Sequence, residues 1–131
     1  MDVEKVSQHL QRCLSDAQAV YVFGSYASGD SQAHSDLDVA VLLPKKTDPV
    51  VLWRLAGELA DLANVSVDLV DLRAASTVLQ YQILTKGRCV WAKDVSVGVF
   101  EVFVLSEKTA LDTARAGLLE DIQKDGMIHG R

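Results

Sequence analysis

Two aspartates, Asp36 and Asp38, stand at the entrance of the apolar run VAVLL. Side chains alternate across a β-strand, so the two carboxylates share one face, at a separation of roughly 6 to 7 Å along the chain. Carboxylates in this arrangement can hold Mg²⁺, which is commonly bound by one or two of them together with substrate phosphates. A DxD pair can equally lie in a solvated loop before a strand. The DxD pair alone therefore does not establish a metal site, and other parts of the chain must provide further evidence for one.

Two further features favour chemistry at this pair. Gly24-Ser25 directly follows the apolar run AVYVF, and ten residues separate it from Asp36. Glycine lets a ligand approach the backbone closely, and a helix that starts there presents N–H groups to phosphate. Asp68 interrupts the apolar run VSVDLVDL, where an unpaired buried charge would be unfavourable. A cation shared with Asp36 and Asp38 would compensate that charge.

The elements that position these residues follow from hydrophobic spacing and from turn signals. The predicted order begins with a helix over 3–14, a strand over 19–23, one or two helical turns before Gly29 and a strand over 37–43. A helix over 49–63, capped by Asp48, and a strand over 65–72 follow. The last elements are a helix from Ser76, its N-cap, to Gly87, a short strand or edge segment over 89–91, and a long helix over about 97–124 that ends at Gly126. This alternation predicts an α/β or α+β domain, with helices around a small mixed sheet. The relative direction of the first two strands stays open. The long helix can belong to the core or form an interface.

Composition restricts the class of protein. The chain has 131 residues and 49% apolar content, which predicts one domain over 1–131. Its net charge of −5 argues against direct binding to nucleic acid. The two cysteines form no CxxC pair, so neither a disulfide framework nor a zinc knuckle is predicted, and a reducing cytoplasm fits best. No apolar run reaches membrane-spanning length, so no membrane partner is expected.

At this point the sequence resembles a known family. The pattern GS-x10-DxD with a later in-strand aspartate is similar to the nucleotidyltransferase superfamily that includes DNA polymerase β and the aminoglycoside nucleotidyltransferases. The short chain, the segments FGSYASGD, SDLDVAVLL, VDLVDL and LQYQILTKGRCVW, and the final long helix resemble the minimal nucleotidyltransferases (MNT). These are antitoxins encoded beside HEPN-domain toxins in prokaryotes. The resemblance covers nearly the whole chain and implies a polymerase β-like fold.

The resemblance also implies roles for individual residues. Gly24 and Ser25 would bind the β- and γ-phosphates of ATP, and Asp36 and Asp38 would hold two Mg²⁺ ions. Asp68 would complete the second metal site and help to deprotonate the attacking hydroxyl. The implied reaction transfers AMP from ATP to a tyrosine hydroxyl of the HEPN ribonuclease toxin within a hetero-oligomeric complex. An acidic chain suits a basic, RNA-cutting partner.

Two other functions remain open from the sequence. The chain could neutralise its toxin by binding and occlusion alone, or it could transfer a nucleotide to a hydroxyl of a small molecule. The complete set of carboxylates favours the enzyme over the first alternative. The lack of an obvious second domain for a small substrate argues against the other.

Several other residues have simpler interpretations. Asp71 falls on the opposite strand face from Asp68 and is interpreted as structural. His34 and the pair Lys45-Lys46 are interpreted as solvated loop residues, although each could reach a phosphate. Trp53 and Trp91 belong to apolar patterns and are predicted to lie in the core.

Overall fold

The structure is a computed structural model that describes residues 2–29 and 36–128, with side chains described as far as residue 118. Its elements, in chain order, are α1 (Val3–Cys13), β1 (Ala19–Phe23), α2 (Ser25–Ser28), β2 (Leu37–Leu42), α3 (Pro49–Ala63), β3 (Val67–Asp71), a single 3₁₀ turn (Leu72–Ala74), α4 (Thr77–Lys86), β4 (Arg88–Ala92) and α5 (Ser96–Ile128). Asp30 and His34 lie outside the described residues.

The four strands form one mixed sheet in the order β3-β2-β1-β4. The first two strands, whose relative direction the sequence left open, are antiparallel, with Phe23 opposite Asp38. β1 is also antiparallel to β4, whereas β2 and β3 are parallel. A parallel pair needs a crossover connection, and α3 supplies it. The predicted class, a small mixed sheet flanked by helices, is confirmed.

Alternation of side chains gives the sheet two apolar faces. One face packs against α1 and α3 and contains Val20, Val22, Val39, Val41, Leu10, Leu55 and Leu59. The other face packs against α4 and α5 and contains Ala19, Tyr21, Ala40, Leu42, Ile83, Phe100 and Val104. Each strand therefore contributes every second residue to each of two cores.

Polar caps fix where the helices begin. The Asp48 carboxylate accepts a hydrogen bond from the N–H of Val50, and Pro49 occupies the first turn. The Ser76 hydroxyl accepts one from the N–H of Leu79 at the start of α4. Asn64, with φ of 58°, ends α3 in the left-handed region that asparagine tolerates. The two predicted N-caps are confirmed.

Helix α5 is anchored to the sheet by a narrow set of contacts. Val97, Phe100 and Val104 are buried. The Tyr21 hydroxyl donates a hydrogen bond to Glu101 at 3.0 Å, and burial, together with the charge of Glu101, raises the pKa of Tyr21. Other large apolar side chains of this helix are exposed, namely Val99, Val102, Phe103, Leu105 and Leu118. As far as its side chains are described, the helix thus packs into the core along one stripe and presents exposed apolar side chains along another.

The structure corrects three expectations. Trp53 is 80% exposed on α3, so its prediction as a core residue is wrong. Asp68 is exposed because β3 is an edge strand, so its charge is not the buried one that the apolar run suggested. Gly126 does not end α5, which continues to Ile128. Among the described residues, no helix is both long and apolar enough to cross a membrane.

Candidate active site

Strand register brings the aspartates together. Asp38 of β2 lies directly opposite Asp68 of β3 in the parallel pair. Asp36 precedes β2 by one residue and therefore shares the strand face of Asp38. Asp38 alternates in step with Ala40, and Asp68 with Val70, so these carboxylates lie on the sheet face that carries α4 and α5. The three predicted carboxylates thus meet on one side of the sheet.

The turn after β1 is built against this group. Gly24 has φ of 71° and ψ of −150°, a conformation that is essentially restricted to glycine. A Cβ atom at this position would overlap the carboxylate of Asp38. Ser25 then begins α2, in which the N–H groups of Ala27 and Ser28 donate to the Gly24 carbonyl. The backbone of Gly24-Ser25 therefore lies directly beside Asp38.

Asp38, the central residue of this group, lies in an unfavourable electrostatic environment. Burial raises the pKa of the Asp38 carboxyl above its usual value, and the charges of Asp68 and then Asp36 raise it further. Both flanking aspartates are exposed, whereas Asp38 is partly buried. A nearby cation would relieve this repulsion. The site is therefore suited to bind positive charge.

A cleft of about 370 Å³ opens from Gly24 toward helix α4. It is lined by Phe23, Gly24, Ser28, Leu79, Gln82 and Lys86. Lys86 is the cationic residue of this lining, and α4, to which it belongs, packs on the sheet face that carries the aspartates. A cation here, next to a carboxylate cluster that can hold metal ions, suits an elongated polyanion such as a triphosphate.

The sequence interpretation did not single out Lys86. It considered Lys45-Lys46, which the structure places in the turn beyond Leu42, at the end of β2 opposite to Asp38. No local pattern marks Lys86, but at its neighbour Gly87 a Cβ atom would overlap the Ile83 carbonyl and lie 3.0 Å from the Val22 carbonyl and 3.2 Å from the Phe23 side chain. This close approach joins the end of α4 to the end of β1.

Asp71 has a structural role, as predicted. It is 8% exposed, and its carboxylate accepts hydrogen bonds from the N–H groups of Thr47 at 2.9 Å and Arg73 at 3.1 Å. Arg73 in turn donates to the Leu43 carbonyl and stacks over the ring of Phe100 at 5.1 Å. Asp71 therefore holds the loop after β2 to the turn after β3.

Comparison with known proteins agrees with this arrangement. The family model described as polymerase beta, nucleotidyltransferase matches residues 4–96. The protein adenylyltransferase MntA of Shewanella oneidensis is 35% identical over 122 residues, which are 93% of this chain and 88% of that protein.

Solved structures match over nearly the full length. A chain in a crystal structure of a toxin–antitoxin with AMP-PNP has a TM-score of 0.84 and 35% identity, with 94% of this chain and 99% of that chain covered. A chain in the structure of the tri-AMPylated Shewanella oneidensis HEPN toxin in complex with MNT antitoxin has a TM-score of 0.75 and 34% identity, with 92% and 94% covered.

Proposed function

This chain belongs to the polymerase β nucleotidyltransferase family, and from that premise we propose that it is an antitoxin that transfers AMP from ATP to a tyrosine hydroxyl of a cognate HEPN-domain toxin. The observation that carries the proposal is the convergence of Asp36, Asp38 and Asp68 on one sheet face beside Gly24. Relatives named or described as an adenylyltransferase and as a partner of an AMPylated HEPN toxin support the choice of reaction and of acceptor.

The donor set fits Mg²⁺. It consists of carboxylate oxygens alone, which are the ligands that this hard cation prefers. Burial, and then the charges of Asp68 and Asp36, raise the pKa of Asp38, so a bound cation would stabilise its ionised form. Asp36 and Asp68 are exposed, so their side chains can turn toward Asp38 to share ions. Two Mg²⁺ ions held there would neutralise developing charge on the attacking and leaving oxygens.

The residues of the chain then have distinct roles. The backbone of Gly24-Ser25 and the ammonium of Lys86 hold the β- and γ-phosphates, which leaves the α-phosphorus near the aspartates. Asp68, at the exposed edge of the group, accepts the proton of the tyrosine hydroxyl. The phenolic oxygen forms a bond to the α-phosphorus as the bond to the β-phosphate oxygen breaks. The products are an AMP–tyrosine ester and pyrophosphate.

The experiment is intact-mass measurement of the toxin encoded beside this chain after incubation with the chain, ATP and Mg²⁺. We expect mass gains in whole AMP units with wild type, and none with the double variant Asp36→Asn/Asp38→Asn. Asp61→Asn, which removes an exposed carboxylate of α3 on the other face of the sheet, is the matched control and should behave as wild type. A wild-type chain that binds the toxin without adding AMP would contradict the proposed reaction.

One observation favours a second candidate, inhibition by occlusion. The exposed apolar side chains of α5 include Val99 at 71%, Val102 at 63% and Phe103 at 58% exposure, which is a surface that a protein partner could cover. Co-expression with the toxin separates the two functions. Full protection of cells by Asp36→Asn/Asp38→Asn would establish occlusion as sufficient, whereas loss of protection with retained binding would establish the chemistry as necessary.

A further inference from the structure

A second group of metal-ligating side chains lies away from the aspartates. His9 and Cys13 are one helical turn apart on α1, and Glu58 projects from α3. The Nε2 atom of His9 lies 2.9 Å from Oε1 of Glu58 and 3.5 Å from Sγ of Cys13. One ligand atom from each residue lies within 4.8 Å of the other two. We call these three residues the helix cluster.

The packing of α1 against α3 holds the helix cluster in place. Residues i and i+4 of a helix share a face, which places His9 and Cys13 side by side. Leu10 of α1 and Leu59 of α3 are fully buried in the core on that side of the sheet. This is the face opposite to that of Asp38. The helix cluster is therefore a separate site on a rigid support.

We propose that the helix cluster binds a transition-metal cation of the Zn²⁺ type, with His9, Cys13 and Glu58 as ligands and water in the fourth position. Ligand distances of about 2.0 to 2.3 Å in a tetrahedral zinc site place neighbouring ligand atoms roughly 3.3 to 3.7 Å apart. The separation of 3.5 Å between Cys13 and His9 meets this requirement without movement. The His9–Glu58 pair needs to open by a few tenths of an ångström, and Glu58 is 43% exposed.

The choice of metal follows from the ligand types. Thiolate and imidazole favour Zn²⁺, Co²⁺ or Cu ions, whereas Mg²⁺ prefers oxygen ligands alone. On binding, the Cys13 thiol releases its proton to solvent and the sulfur donates an electron pair to the cation. His9 binds through Nε2 as a neutral imidazole, with its proton on Nδ1. No redox step is involved, and the aspartates take no part.

Cobalt is the probe that tests this site. Co²⁺ bound by a thiolate gives a sulfur-to-metal charge-transfer band that carboxylate-bound Co²⁺ lacks, so Co²⁺ bound at the aspartates does not contribute. The full-length chain is stripped with EDTA and titrated with CoCl₂ in excess Mg²⁺. We expect the band to saturate at one Co²⁺ per chain and to disappear when ZnCl₂ is added. It should be lost in Cys13→Ser and retained in Cys89→Ser, which removes the other exposed thiol.

The alternative is that His9 and Glu58 only form an ion pair that joins α1 to α3. Absence of the band in wild type, or its persistence in Cys13→Ser, would overturn the proposal in favour of that role. Thermal melting gives an independent measurement, because a ligand that binds only the folded state raises Tm. ZnCl₂ should raise the Tm of wild type and Cys89→Ser but not that of Cys13→Ser. Equal Tm shifts in all three proteins would also overturn the proposal.

Discussion

The aspartate group and the helix cluster are built in opposite ways on opposite faces of one sheet. Asp36, Asp38 and Asp68 offer oxygen ligands at neighbouring strands, and burial, together with their like charges, raises the pKa of Asp38. The helix cluster mixes nitrogen, sulfur and oxygen, and His9 and Glu58 attract each other at 2.9 Å. The aspartates of the first group repel one another, whereas the second group is held together by its own contacts. The aspartate group therefore stores unfavourable electrostatic energy in the folded protein, and the helix cluster does not.

The substitution with the largest expected effect, Gly24→Ala, disrupts the aspartate group and leaves the helix cluster intact. In Gly24→Ala, the new Cβ overlaps the Asp38 carboxylate and φ of 71° is strained. Misplacement of a reacting group by about 1 Å can reduce rate on the order of a hundredfold, and we expect at least this loss in kcat/KM for AMP transfer. The Co²⁺ band of the helix cluster should remain.

The matched control is Gly29→Ala. Its φ of 82° and ψ of 5° lie in the left-handed region, where alanine is also strained though less than at Gly24, and a Cβ atom there has nothing within 4 Å. It should lose stability and keep most of its activity. Equal losses of activity in both variants would mean that backbone strain in this turn, and not the position of Asp38, limits the reaction.

A smaller effect tests whether the triphosphate lies on the aspartate side of the sheet. Lys86→Gln should raise KM for ATP about tenfold, because a hydrogen bond to a charged group contributes about 1.5 kcal/mol. Lys45→Gln, at the far end of β2, should leave KM unchanged. Steady-state kinetics at saturating toxin measures both. A similar rise in KM in the two variants would point to a general effect of net charge.

The helix cluster should show a modest, destabilising response to loss of charge. Glu58→Gln replaces the charged partner of His9 in a partly exposed contact of 2.9 Å, and such contacts typically contribute less than about 1 kcal/mol. We expect a slightly lower free energy of unfolding in EDTA, measured by urea denaturation near neutral pH. An increase in stability would show that Glu58 is repelled by its surroundings and would remove the contrast between the two sites.

The smallest effect is expected at the aspartate group, where loss of a charge should raise the free energy of unfolding instead of lowering it. Because the folded-state pKa of Asp38 is raised, its ionised form costs stability at pH values above that pKa. Asp38→Asn should therefore be more stable than wild type at neutral pH without divalent cations. The difference should shrink as pH falls through the folded-state pKa and vanish below the unfolded-state value. Urea denaturation across this pH range measures it, and a difference independent of pH would exclude the electrostatic cause.

Local signals predicted most of the fold. Asp48-Pro49 and Ser76 marked helix starts correctly because capping depends on residues within one turn. The direction of β1 relative to β2 could not be predicted from the sequence, because a connection over residues 24–36 is compatible with either direction. Trp53, which is 80% exposed, was misplaced because an apolar pattern shows which residues can be buried, whereas what packs over each side of α3 is a tertiary property.

The residues of the candidate site likewise divide into those marked by local sequence and those brought together only by tertiary packing. Asp36, Asp38 and Gly24 were predicted because their spacing in the chain carries the signal. Lys86 was missed because it reaches Gly24 only through the packing of α4 on the sheet. The helix cluster was missed because Glu58 lies 49 residues from His9, and only the contact between α1 and α3 joins them.

The position of Asp68 on an edge strand has a consequence for solubility. An edge strand presents backbone groups that can pair with another chain, and exposed charge is one of the devices that prevents such pairing. Apart from the buried Asp71 at its end, the rest of β3 is apolar, with Val67, Leu69 and Val70 partly exposed on either side of the Asp68 carboxylate. The residue expected to take up the acceptor's proton therefore also discourages aggregation through the sheet edge. Neutral variants of Asp68 should be compared with wild type by size-exclusion chromatography, because self-association would lower apparent activity without any change in the chemistry.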